Sequence, residues 1–172
     1  MSEMEFNLGD NFSLDEFSQS IAIELLAMYP EELGHIDLNQ VGFVRKQCGL
    51  SKAAKPKIAT CTAVRQPIRG FSSVAWLITT MGENFTHLPL PIKQRVIYHG
   101  LTHIPEEEGG VVPHDVEDFA DCINKWGTNW QGNYDLEPLF EMEDEAPVEE
   151  MPDEIKDMKM EDLKHQIAKL GL

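Results

Sequence analysis

Val74-Ala75-Trp76-Leu77-Ile78-Thr79-Thr80 is nearly continuously apolar. A short run of this kind reads as a strand, and without polar alternation that strand needs cover on both faces. Two further strands can pair with it. Val41-Gly42-Phe43-Val44-Arg45 reads as one, and Ile58-Ala59-Thr60-Cys61-Thr62-Ala63-Val64, rich in small and β-branched residues, reads as another. Helices supply the cover. Phe17, Ile21 and Leu25 recur every four residues and Pro30 ends their helix. Ser13-Leu14-Asp15-Glu16 before it is a capping-box pattern, with Ser13 as the cap and Glu16 reaching back. Pro91 suits the first turn of a second helix, which carries Val96, Ile97, Leu101 and Ile104 and stops at Pro105. Val116, Phe119, Ala120, Ile123 and Trp126 predict a third, beginning near His114 or Asp115 and stopped by Gly127. The expected fold is α+β, a small sheet of about three strands with helices packed on it.

The 172 residues and 42% hydrophobic content suit one domain with an extension. Residues 1–12 are polar and read as a flexible N-terminus, residues 13–130 as the domain, and residues 131–172 as an acidic linker with a terminal helix. The helix would span 153–170, where Leu163, Ile167 and Leu170 form one thin apolar stripe. Between Asp135 and Asp162 there are 13 acidic residues and two lysines, Lys156 and Lys159, and the whole chain carries a net charge of −16. That charge repels phosphate backbones and disfavours nucleic acid as a partner. A basic group (Arg45, Lys46, Lys52, Lys55 and Lys57) is either a partner surface or, more simply, solvated loops and strand ends. No run of 18 apolar residues indicates a membrane span. The first residues lack a signal peptide's basic and apolar regions, and Cys48, Cys61 and Cys122 are odd in number and far apart. Reduced thiols in a cytoplasmic protein are expected.

The chemistry-bearing stretch lies at the end of the second helix. His99 and His103 in His99-Gly100-Leu101-Thr102-His103 are four residues apart and fall on one helix face. Gly109-Gly110 then eases a reversal that brings back His114. An isolated pair at this spacing is more often coincidence than a site. The third histidine, in a chain with six, tips the balance towards a three-ligand zinc centre. In the zincin pattern His-Glu-x-x-His the Glu is the general base, and here Gly100 holds that place. Asp115 and Asp118 are placed to accept an N–H from a ligand imidazole, although Asp115 reads equally well as a helix cap. Glu106, Glu107 and Glu108 read as a solvated loop. His35, His87 and His165 are expected at the surface, and Trp76 and Phe43 in the core.

Gln94-Arg95-Val96-Ile97-Tyr98-His99-Gly100-Leu101-Thr102-His103-Ile104-Pro105, followed by Val112-Pro113-His114-Asp115-Val116-Glu117-Asp118-Phe119, resembles the phage metallopeptidase family. That family carries a H-E-L-x-H-I-P helix and a P-H-D-V-x-D-F segment. The resemblance covers roughly residues 13–126 and is specific in its double motif, architectural upstream. It implies a zincin-like active-site helix, a peptide or protein substrate, a phage-encoded protein in the host cytoplasm, and His99, His103 and His114 as zinc ligands. The catalytic Glu does not carry over. General acid–base catalysis contributes about 10²–10⁴-fold, so hydrolysis is expected to be lost or weakened while zinc binding survives. The rival reading is a non-enzymatic interaction protein whose acidic C-terminal segment binds a basic partner.

Overall fold

The computed structural model describes residues 11–53, 56–66, 68–107, 109–114 and 118–145. The expected terminal helix at 153–170, Asp115, Glu108 and His165 lie outside these residues.

Four strands form one sheet in the order β1-β2-β4-β3: β1 (Phe12–Leu14), β2 (Val41–Lys46), β3 (Ala59–Ala63) and β4 (Trp76–Met81). The apolar run at 74–80 thus becomes a central strand. β4 runs parallel to β2, with Phe43 opposite Ile78, and antiparallel to β3, with Cys61 opposite Ile78. Its cover is uneven. Trp76, Ile78, Thr79 and Thr80 are buried, whereas Leu77 and Met81 are half-buried.

β1 is the strand that periodicity did not predict. Three residues are too few to show an alternation, and Ser13, expected to cap a helix, instead sits opposite Arg45 of β2. The cap of helix α1 (Glu16–Met28) is Asp15, whose carboxylate accepts from the Ser18 N–H at 3.1 Å. Asp is as good a cap as Ser, and the pairing of Ser13 in the sheet moves the helix start two residues on. Asp15 also bonds Arg45 of β2 at 3.0 Å and the Thr80 hydroxyl of β4, so one buried carboxylate joins a helix and two strands.

After α1 come the single turn α2 (Pro30–Leu33), α3 (Gly82–Thr86), α4 (Leu90–Thr102) and α5 (Ala120–Trp126). Gly82 begins α3 at φ +30°, and a Cβ there would lie 2.2 Å from the Cys48 carbonyl oxygen, so glycine is required for this close approach. α4 packs against α1, α2 and β3. Its Ile92, Ile97 and Leu101 join Ile21 and Leu25 of α1 and Ile78 of β4 in the core. α5 starts later than the apolar spacing suggested. Phe119 is its buried N-cap residue, and Cys122, not Ala120, faces the interior. Gly127 ends it at φ +83°, as expected of a glycine stop.

Residues 135–145, expected to be part of a linker, lie along α4. The side chain of Gln94 donates to the Phe140 carbonyl at 2.9 Å and accepts from the Leu139 N–H at 2.6 Å. Arg95 donates to the Glu137 carbonyl at 2.9 Å. Lys93, 2% exposed, pairs with Asp144 at 2.8 Å and Glu145 at 3.1 Å, and Glu145 also pairs with Arg45. This strap satisfies its backbone through helix side chains, not through a ladder of its own, and so shows no period in sequence. Among the described residues no helix is long and apolar enough to cross a membrane.

Candidate metal centre

α4 carries His99 in its last turn and gives way at His103, its C-cap residue. The spacing puts both imidazoles on one face, with ring centroids 5.0 Å apart. The chain beyond is drawn back by His103 itself. Its backbone carbonyl accepts from the Val112 N–H at 2.8 Å, and its ring Nδ1 donates to the Val112 carbonyl at 2.7 Å. From the sheet, the Trp76 indole donates to the Gly110 carbonyl at 3.0 Å, so this core tryptophan also pins the loop. The returning chain delivers His114, whose ring centroid is 4.9 Å from those of both other histidines.

The expected trio therefore converges. One ring nitrogen from each of His99, His103 and His114 lies within 4.8 Å of the others, a group able to hold a metal ion. A carbonyl can only accept, so neutral His103 carries its proton on Nδ1 and leaves the Nε2 lone pair free. Burial lowers the pKa of His103, with His114 pushing the same way against the bond to Val112. Burial likewise pushes His99 down to about 4, Asp118 pulling it up and the other two imidazoles pressing it down. Imidazoles that stay neutral at neutral pH suit metal ligation, which requires the unprotonated nitrogen.

Proton placement tests the fit of a cation. His99 Nε2 lies 2.9 Å from His114 Nε2 and 3.0 Å from Asp118 Oδ1. A single N–H on His99 cannot point at both partners, and a bare nitrogen would set its lone pair against the carboxylate. A cation at the meeting point satisfies every one of these atoms.

Asp118 reaches His99 through Nε2, the nitrogen that faces His114. Its other oxygen accepts from the Trp130 indole at 2.6 Å, and Oδ1 also accepts from the Phe119 N–H at 2.7 Å. Trp130 is 1% exposed, so its indole N–H needs a buried acceptor and finds this one. The Phe119 ring, 4% exposed, stands 4.7–5.2 Å from all three imidazoles and walls the group with an apolar surface. Sequence periodicity marked Phe119 only as a helix residue and gave Trp130 no partner; a buried indole's demand for an acceptor was the available signal for the second.

Gly100 is buried in α4, facing the Ile78 side chain of β4. The nearest atoms to a Cβ there would be those of the Ile78 side chain, at 3.6–4.0 Å, an ordinary contact. Glu106 and Glu107 are exposed, as expected of a solvated loop. His87 is exposed, and His35 is exposed but bonds the Ile104 carbonyl at 3.0 Å through Nε2. A cleft of about 820 Å³ opens at Asp118 and Trp130, lined also by Ile58, Leu88, Ile123 and Tyr134; the three histidines do not line it.

A family model described as "Putative phage metallopeptidase" matches residues 10–139. No curated protein and no solved structure matches the chain.

Proposed function

The chain belongs to the phage metallopeptidase family, and from that premise we propose that it is a zinc-binding, metallopeptidase-like protein whose peptide hydrolysis is lost or weakened. The observation that carries the reading is the convergence of His99, His103 and His114, with the Nδ1–H of His103 spent on Val112. Zinc held by these three would supply Lewis-acid polarisation of a peptide carbonyl and activation of water. The cleft that reaches this centre only through Asp118 has the size of a ligand site.

The weak point is the base. A hydrolase needs a group that accepts the proton of the attacking water and passes it to the leaving amine. Gly100 has no side chain to do so, Glu106 and Glu107 point to solvent, and Asp118 is engaged by His99 and Trp130. A cytoplasmic location belongs to the same proposal, supported by three cysteines that form no disulfide. The rival reading, a partner for the acidic segment, falls mostly on residues 146–172, outside the described ones; within these, Asp144 and Glu145 are paired with Lys93 and Arg45.

Elemental analysis tests the reading. About one zinc per chain is expected in the protein and none in His103→Ala; a folded, zinc-free protein would refute it. In the zinc-loaded protein, Gly100→Glu asks whether the base alone limits turnover; a rise in cleavage of a peptide library by about 10²-fold or more would show that it does. The Ile78 contact leaves room for the first carbon of the new side chain. Unchanged cleavage would show that the missing base is not what limits turnover.

A further inference from the structure

The geometry points to Asp118 as a fourth donor to the same ion, making a closed centre of three imidazoles and one carboxylate. The inference rests on the three-histidine reading above and adds a ligand to it.

A carboxylate that merely supports a metal-bound imidazole takes the N–H on the far side of the ring. Asp118 does something else. Its Oδ1 sits 3.0 Å from His99 Nε2, and the same nitrogen is 2.9 Å from His114 Nε2. Donors at tetrahedral corners around zinc, each about 2.0–2.1 Å from the ion, stand roughly 3.3 Å apart. Both contacts are slightly shorter than that, as expected where hydrogen-bonding distance sets the spacing. Asp118 and His114 thus both stand at corner spacing from His99 Nε2, the nitrogen they share. His103 belongs to the same group of nitrogens and feels the charge of Asp118 as well.

The carboxylate is also held for this role. Trp130, buried and 2.6 Å away, holds Oδ2, while Oδ1 faces His99. His114 and Asp118 are four residues apart in sequence, and both precede α5.

Four protein donors change what the centre does. Catalytic zinc keeps three protein ligands and an open position, whereas structural zinc is closed by four. With Asp118 in the fourth place no corner is left for water or a carbonyl, and with glycine at position 100 no base stands by. Two independent features then agree on a centre that ties the chain together.

The cobalt(II) form of the full chain tests this, because its visible bands report coordination and shift when an added anion enters an open position. The probe is azide. For the unsubstituted protein the expected result is intense tetrahedral bands that azide leaves unchanged. Asp118→Asn keeps an oxygen for the Trp130 indole and turns a non-ligating amide towards His99. Its bands should be shifted at the outset and shift again with azide. An azide response in the unsubstituted protein would overturn the inference, whether or not the variant folds. So would identical spectra for the two proteins. No cobalt uptake by the folded, unsubstituted protein is a different outcome, which sinks the three-histidine reading itself.

Discussion

His103 does two jobs with one ring. Nδ1 holds the returning loop through Val112, and Nε2 is thereby left as the free nitrogen in the cluster. Burial holds His99 at about 4 against an ordinary value of 6.5. In the unfolded chain that imidazole takes up a proton near pH 6.5; in the folded, metal-free protein it does not until about pH 4. The unfolded state thus binds more protons across that window, so this contribution to stability is full above about pH 6.5 and is lost as pH falls. Urea midpoints of the metal-free protein should drop between pH 7 and pH 5, and the drop should be smaller in His99→Gln. Equal slopes would show that His99 is not the group responsible. Thiols obey the same burial logic with opposite sign. Burial pushes both Cys61 and Cys122 up to about 12, which starves them of thiolate. An alkylating reagent at pH 8 should label the buried Cys122 only as fast as the chain unfolds, and its rapid labelling in the native protein would contradict its burial.

The strap along α4 is the element whose stability is easiest to challenge. Lys93 is almost wholly buried, and among the described residues its charge is paired with Asp144 and Glu145. Removing one side of a buried pair typically costs about 3–5 kcal/mol, because a desolvated charge is left behind. Asp144 is part-exposed, so the double variant Asp144→Asn/Glu145→Gln should cost nearer about 3 kcal/mol by urea denaturation. Adding Lys93→Met to that variant should recover part of the loss; no recovery would mean that the strap's apolar contacts, not the buried charge, are what the substitutions disturb. The same strap shows where sequence stops being informative. The helices around Ile21 and Ile97 were legible because burial of one face imposes a period, and the strands at 41–46, 59–63 and 76–81 because short apolar or β-branched runs mark buried strands. His99, His103 and His114 were legible because helix spacing and a glycine turn constrain where they can go. The strap answers to Gln94 and Arg95, β1 is only three residues long, and Asp118 finds Trp130 twelve residues away. Such contacts are set by tertiary placement, which no local pattern encodes.

On the scale of the whole molecule, the histidine cluster is a junction. The end of α4, the returning loop and the segment before α5 meet there, each secured by its own bond: His103 to Val112, Trp76 to Gly110, Asp118 to Trp130. A ligand that binds only the assembled junction stabilises the fold by mass action, about 2.7 kcal/mol at a free concentration 100 times its dissociation constant. For a chain of this size that corresponds to roughly 5–10 °C in melting temperature. Thermal melts in chelator and in excess zinc should differ by this amount. His114→Ala is the sharper control than His103→Ala, since His114 is exposed and holds no loop carbonyl, so its loss should leave the metal-free melting temperature nearly unchanged. What it should remove is the zinc increment. Retention of the increment in His114→Ala would place the stabilising ion somewhere other than this junction, and the three-histidine centre would then have to be given up, with the fourth donor that depends on it.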